Sequence, residues 1–237
     1  MTFRDTPRYA IYFAPEPSSD LDAFSTAWLG RDIDSTHSRD PSLVPDISGN
    51  RCEELTKGPR RYGFHGTLKP PFELNPATTV DALLRTAHIF ARGLAPVEIP
   101  SLELAVIGEF IALRPTSQSP ALEKLSAACV RAFEAFREPL TPEKIKNYRS
   151  NKLTVHQEQM LEHWGYPYVM EEFQFHMSLT SKIDDPQERE TIFAALEKLA
   201  KPVLGKSLLA RHITVFGQSG CDKPMVAIER IPFGRLK

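Results

Sequence analysis

The hydrophobic pattern changes period several times along the chain, and each change marks an element. Tyr9-Ala10-Ile11-Tyr12-Phe13-Ala14 is a short continuous apolar run stopped by Pro15, the signature of a buried strand. Ser18 or Ser19 then caps a helix with Asp20 and Asp22 in its first turn, where the helix dipole favours them, and with an apolar stripe of Leu21, Phe24, Trp28 and Leu29. Residues 31–59 are rich in Asp, Ser, Pro and Gly without a sustained period, which predicts a long loop holding one helical turn. A strand at 64–69 ends at Pro70-Pro71. Thr78 or Thr79 starts a helix whose apolar positions Val80, Leu83, Leu84, Ala87, Phe90 and Leu94 keep a helical period. Strands follow at 102–106 and 110–113.

The same succession then returns. Residues 110–115 repeat the opening strand with its terminal proline. Ser119-Pro120 sets a cap and a first-turn proline ahead of Leu122, Leu125, Cys129, Phe133 and Phe136. A helical insertion at 141–170 predicts one helix over 142–164 and an aromatic loop, Gly165-Tyr166-Pro167-Tyr168. A second short strand around 175–180 precedes a helix at 186–200 and strands at 208–216 and 225–231. Strand, helix, strand, helix, strand thus occurs twice, and such repetition constrains the architecture. It predicts an α+β fold: one bilobal domain over 1–237, built of pseudo-repeats 9–107 and 108–237, with two antiparallel sheets facing a central cleft and helices outside.

The two short strands carry matching text. Phe64-His65-Gly66-Thr67-Leu68-Lys69 and Phe175-His176-Met177-Ser178-Leu179-Thr180 each run aromatic, histidine, any residue, hydroxyl, leucine. Side chains alternate along a strand, so His65, Thr67 and Lys69 are expected on one face and Phe64 and Leu68 on the other. In the second copy His176, Ser178, Thr180 and Lys182 share a face, opposite Phe175, Leu179 and Ile183. Arg61 precedes His65 on the same parity. Two strands that each offer an imidazole, a hydroxyl and a cation are equipped to hold an anion between two proton-transfer groups.

Composition narrows the classes that this equipment can serve. The 237 residues are 41% hydrophobic and 25% charged, which suits a globular protein with a sizeable core. A net charge of −1 advertises neither nucleic acid nor an anionic membrane, so anion recognition must come from a local patch. Cys52, Cys129 and Cys221 are widely spaced without paired metal spacing, which predicts reduced thiols and a cytoplasmic location. The start at Met1 lacks a signal-peptide pattern, and no stretch reaches the roughly 18 apolar residues of a membrane span.

Paired His-x-[Ser/Thr]-hydrophobic motifs, one in each half of a bilobal α+β chain, resemble the 2H phosphoesterase superfamily. Its members include RNA 2′,3′-cyclic phosphodiesterases and bacterial 2′-5′ RNA ligase-like proteins. The flanking text, Arg61-Tyr62-Gly63-Phe64 before the first motif with Pro70-Pro71-Phe72 after it, and Trp164-Gly165-Tyr166-Pro167-Tyr168-Val169, is similar to its phosphonate-metabolism branch. The resemblance covers essentially the whole chain. It implies metal-independent chemistry on a cyclic phosphodiester or a related phosphoester, with His65 and His176 as the catalytic pair and Thr67 and Ser178 on the phosphate.

The chemistry agrees with the residues. A histidine titrates near 6.5, so one imidazole can act as base while another acts as acid near neutral pH. Lys69, Arg61 or Lys182 is expected to supply positive field where other enzymes use a metal. There is no His-x-His pair and no close carboxylate cluster, so neither a metal nor another cofactor is expected. Tyr12 from the first strand, Arg149 from the inserted helix and Tyr168 from the aromatic loop are candidate substrate contacts. His156 and His163 read as solvated or hydrogen-bonded, and His37, His88 and His212 as structural. The expected partner is a small phosphorylated substrate; RNA is less favoured, and the oligomeric state is open. Competing readings are an RNA 2′,3′-cyclic phosphodiesterase or 2′-5′ RNA ligase-like enzyme, and a nucleotide-binding regulatory module without turnover.

Overall fold

A computed structural model describes residues 8–35, 47–220 and 222–234; His37 and Cys221 lie outside the described residues. The apolar run at the start of the chain becomes β1 (Arg8–Phe13), an inner strand of a four-stranded antiparallel sheet. Its order is β2-β1-β8-β9, with β2 at Gly66–Phe72, β8 at His212–Gln218 and β9 at Met225–Pro232. A three-stranded sheet holds β4 (Leu102–Ile107), β5 (Phe110–Pro115) and the two-residue β6 (Met177–Ser178). β3 (Val97–Ile99) pairs with β7 (Leu208–Ala210). The α+β class holds. The described sheets number three rather than two, and each takes strands from both predicted repeats.

Alternation along β1 divides the molecule. Tyr9, Ile11 and Phe13 enter the main core with Leu83 and Ala87 of α3 (Val80–Arg92) and Leu125 and Cys129 of α4 (Pro120–Ala132). Ala10, Tyr12 and Ala14 point the other way, into a small cluster with Ile33, Phe216 and Met225. One face of the sheet is therefore spent on helices. The other is left for a site. The predicted caps are in place: the hydroxyls of Ser19, Thr79 and Ser119 accept the amides of Asp22, Ala82 and Leu122, the first of these opening α1 (Asp20–Leu29).

Two stretches differ from their sequence pattern. The second half of the expected 31–59 loop is α2 (Gly49–Tyr62), capped by Ser48. Its buried residues Cys52, Leu55, Thr56 and Pro59 do follow a helical period. Cysteine, threonine and proline hide that period from a count of apolar residues. Pro59 has no N–H, so the Leu55 carbonyl one turn back has no partner within the helix. The amide of Ser181 fills it at 2.6 Å and so ties α2 to the end of the second motif. The inserted helix is in fact two, α5 (Pro142–Arg149) and α6 (Val155–Trp164). Lys152 between them takes the left-handed conformation, and Thr154 with Gln157 forms a capping box that restarts the helix.

Candidate active site

The first motif is delivered by a turn and a strand. Gly63 closes α2 at φ 75°, a conformation that costs a glycine little, and the chain then enters β2. His65 stands just ahead of β2, and its Nδ1–H donates to the Gly63 carbonyl at 2.7 Å. That bond sets the tautomer and leaves Nε2 as the free nitrogen. The imidazole lies flat on Tyr12, with ring centroids 3.7 Å apart and planes 17° from parallel. Thr67 pairs with Tyr12 across the ladder and is half-buried, while Phe64, Gly66 and Leu68 are buried.

The second motif has almost no strand to lean on, since β6 is only Met177–Ser178. Other bonds hold it. The Trp28 indole N–H donates to the Leu179 carbonyl at 2.8 Å, and the Ile111 amide donates to the Thr180 hydroxyl at 2.9 Å. Within this frame the Nδ1–H of His176 donates to the Gln174 carbonyl at 2.8 Å. Both histidines are thus anchored alike, each on the carbonyl two residues before it. No protein group bonds either Nε2 among the described residues.

The two motifs abut. A Cβ built on Gly66 would stand 2.3 Å from two ring atoms of Phe175, so the ring beside His176 rests directly on the backbone between His65 and Thr67. Electrostatics reports the same proximity. His65 is lowered to about 4, first by burial and then by repulsion from His176 and Arg31, against the raising effect of its bond to Gly63. His176 is also lowered by burial, opposed by the Gln174 carbonyl. Burial therefore pushes both rings toward the neutral form.

Several expected contacts lie elsewhere. Lys69 does not share the histidine face. The ladder pairs Tyr12 with Thr67 but Ile11 with Lys69, so Leu68 is an extra residue, a bulge that reverses the parity beyond it. Lys69 is 2% exposed in the main core side, 2.9 Å from Glu134 and 3.1 Å from the Val130 carbonyl. Arg61 is on α2 rather than a strand; its guanidinium lies over the Tyr62 ring, 4.8 Å from the centroid. Thr180 is buried, and Lys182 is exposed and 3.0 Å from Glu109. Arg149 is held by Glu158 at 2.6 Å and by Glu162 at 3.4 Å. Tyr168 is 39% exposed beside Tyr166, with ring centroids 5.6 Å apart. His88 and His212 pair with Glu229 and Glu16, as structural histidines do.

Lys69→Met separates the structural role from the phosphate role. It is expected to cost about 1–3 kcal/mol of stability, because Glu134 and the Val130 carbonyl each lose a partner. Denaturant unfolding reads that loss, and the KM for a phosphate substrate stays as in the wild type.

Sequence reading missed Arg31. Its side chain is buried at 3% exposure and donates to the carbonyls of Asp32, Arg60 and Met225, the Arg60 bond being 2.6 Å. It closes the C-terminal end of α2 and touches the space beside Gly63, whose added Cβ would lie 3.1 Å from Nη2. Burial lowers its pKa to about 10, so it stays charged. The signal was an arginine directly after a helix-ending glycine, which sequence alone does not distinguish from a surface residue.

A cavity of about 660 Å³ is lined by Arg31, Lys57, Arg60, Arg61, Glu53 and Asp222 among others, and neither histidine is in its lining. A second, about 340 Å³, opens beneath α5 and is lined by Arg8, Phe72, Lys144 and Tyr148 among others. Among the described residues no cluster of three His, Cys, Asp or Glu side chains is placed to hold a metal, and no helix is long and apolar enough to cross a membrane.

Comparison with known proteins adds a family. The profile of DUF1045, described as a protein of unknown function, matches residues 67–226. A ribose 1,5-bisphosphate phosphokinase PhnN of Janthinobacterium sp. (strain Marseille) is 31% identical over 230 residues, 95% of this chain and 51% of that protein. The protein of the same name from Laribacter hongkongensis (strain HLHK9) is 32% identical over 178 residues, 75% of this chain and 41% of that one. The chain thus spans about half the length of these relatives or less. Among solved structures, a phosphoesterase (TM-score 0.45, 9% identity) and E. coli LigT bound to 3′-AMP (TM-score 0.43, 8% identity) each align over 97% of this chain and 99% of their own. At that distance nothing about the reaction is carried across.

Proposed function

The chain belongs to the DUF1045 family, and we propose that this member is a metal-independent phosphoesterase opening a cyclic phosphodiester on a small sugar or nucleotide. The observation that supports the reading is the matched pair of imidazoles, each anchored through Nδ1 on the carbonyl two residues before it, with the charge of His176 acting on His65. In this reading the chain is one bilobal domain with its cleft where the two motifs meet. Water attacks phosphorus opposite the leaving ring oxygen. One Nε2 takes the proton from the water as the new P–O bond forms; the other Nε2–H gives its proton to the leaving oxygen as the ring P–O bond breaks. The product is a phosphomonoester. Thr67 and Ser178 donate to the non-bridging oxygens, a role worth on the order of 3 kcal/mol for a preorganised donor. Arg31 supplies the positive field first expected of Lys69 and Arg61.

The names of the relatives favour a ribosyl substrate. A cyclic phosphate across O1 and O2 of ribose 5-phosphate would open at O2 to give ribose 1,5-bisphosphate, the compound in those names. The kinase step itself is not placed on this chain. Gly205-Lys206-Ser207 lies between α7 (Pro186–Ala200) and β7, helix before strand, whereas a phosphate-binding loop runs from strand to helix. Lys206 is moreover held by Asp20 at 2.8 Å.

The test is hydrolysis of ribosyl and nucleoside 2′,3′-cyclic phosphates in EDTA. Turnover that survives the chelator supports the proposal, and turnover that EDTA abolishes, or none on any cyclic phosphate, contradicts it. The depressed pKa values add a pH signature. kcat/KM reports the free enzyme, so it should rise through about pH 4 as His65 loses its proton and fall again below the usual 6.5 as His176 does. A bound phosphate favours the protonated rings, so the kcat profile should sit at higher pH than the kcat/KM profile. Superimposed profiles, or a kcat/KM maximum above pH 7, would count against the pair.

A further inference from the structure

We propose a second anion subsite in the cavity beneath α5, where Arg8, flanked by Tyr62 and Tyr148, receives a further phosphate carried by the same sugar that bears the cyclic phosphate. The inference deepens the proposed function and rests on it for the position of the first phosphate.

Four observations converge on Arg8. It shares a face of β1 with Ala10 and Tyr12, the face opposite the helix-packed core. Tyr12 spans the gap: its ring stacks on His65, and its hydroxyl end lies in the field of Arg8 with Tyr62 and Tyr166 nearby. Tyr12 thus touches His65 through its ring and feels Arg8 at its hydroxyl, which links the first motif to the guanidinium through a single side chain. The cavity of about 340 Å³ is the size of a small-ligand site, at the lower end of the usual range of about 300–1,000 Å³.

Charge selects Arg8 within that cavity. Lys144 is neutralised by Glu73 at 2.5 Å, and Arg137 by Glu134 at 2.6 Å. Arg8 pairs with no carboxylate among the described residues. It donates instead to the neutral amide oxygen of Gln218, with Nε at 2.7 Å, and lies 5.9 Å from the centroid of the Tyr62 ring. A phosphate can exchange for that amide and form a two-pronged contact with the guanidinium. Glu138 is the carboxylate left on the wall, and it adjoins Arg137 in the chain. The tyrosines complete the cradle. Tyr148 lines the cavity and packs edge-on against Tyr166 at 5.7 Å, and burial raises its phenol, which keeps it protonated as a donor. Tyr148 comes from α5 and is backed by Tyr166 from the loop after α6, so the insertion supplies this half of the subsite.

Binding tests the subsite without turnover. Calorimetric titration of the whole chain with ribose 1,5-bisphosphate and with inorganic phosphate should show the bisphosphate bound more tightly. Arg8→Gln should weaken the bisphosphate by about 10- to 100-fold, the worth of a hydrogen bond to a charged group, and leave inorganic phosphate unchanged. Arg8→Lys should fall between the two, and Tyr148→Phe should weaken only the bisphosphate without disturbing the sheet. Equal bisphosphate affinity in the wild type, Arg8→Gln and Tyr148→Phe overturns the subsite. An Arg8-dependent affinity in a protein that hydrolyses no cyclic phosphate keeps the subsite and removes the phosphodiesterase. Hydrolysis with an affinity indifferent to Arg8 does the reverse.

Discussion

Alanine at either His65 or His176 is expected to lower kcat on a cyclic phosphodiester by about 10²- to 10⁴-fold, the usual contribution of a positioned proton-transfer group. Each ring makes one hydrogen bond, to a carbonyl of its own preceding turn, so removing it breaks no long-range hydrogen bond. The fold should therefore survive, and the loss should appear in kcat rather than in KM. The double variant should lose little more than the worse single one, because base and acid act in the same step and their effects do not add. His65 also rests on Tyr12 and Phe216, with ring centroids 3.7 and 6.3 Å away, so His65→Asn is the variant that best preserves packing. Asparagine cannot pass a proton at neutral pH, and its rate should match that of the alanine variant.

The second large effect comes from a residue with no side chain. Gly66→Ala puts a methyl 2.3 Å from the Phe175 ring, a distance at which something must move. Phe175 cannot yield freely, since it packs edge-on against Phe13 at 5.8 Å inside the main core. Overpacking of this kind costs about 1–3 kcal/mol. Whatever displacement relieves it separates the two motifs, because Phe175 precedes His176 and Gly66 follows His65. A shift of about 1 Å between catalytic groups can cost about 10²-fold in rate. Gly66→Ala should thus lower both the melting temperature and kcat. A variant that loses stability while keeping full kcat would show that the contact only packs the core.

The histidine pair was legible in the sequence because the two copies share a pattern that chance rarely repeats in matching surroundings. The first strand, the caps at Ser19, Thr79 and Ser119 and the long apolar helices were legible for the ordinary reason that burial imposes a period. Lys69 was misread because parity holds only for an unbroken strand, and the bulge at Leu68 is a property of the pairing with β1, not of the text of β2. α2 was missed because its buried face is written in Cys52, Thr56 and Pro59. That same Pro59 frees the Leu55 carbonyl for Ser181, a long-range bond that no local pattern announces. The break in the insertion was readable after all, since Thr154 and Gln157 spell a capping box. Arg31 and Arg8 are a different case. Their environment is made by segments far apart in the chain, and only the folded arrangement reveals one as a buried charge and the other as a cation without a carboxylate partner among the described residues.

The claim at the centre is that one phosphoryl group fits between two imidazoles brought from distant parts of the chain. A crystal structure with vanadate, which mimics the five-coordinate phosphorus, tests it most directly. The account predicts one vanadate with an oxygen within hydrogen-bonding distance of Nε2 of His65, another within reach of Nε2 of His176, and the hydroxyls of Thr67 and Ser178 on the remaining oxygens. Vanadate bound among Lys57, Arg60 and Arg61 instead, with both imidazoles untouched, would contradict it.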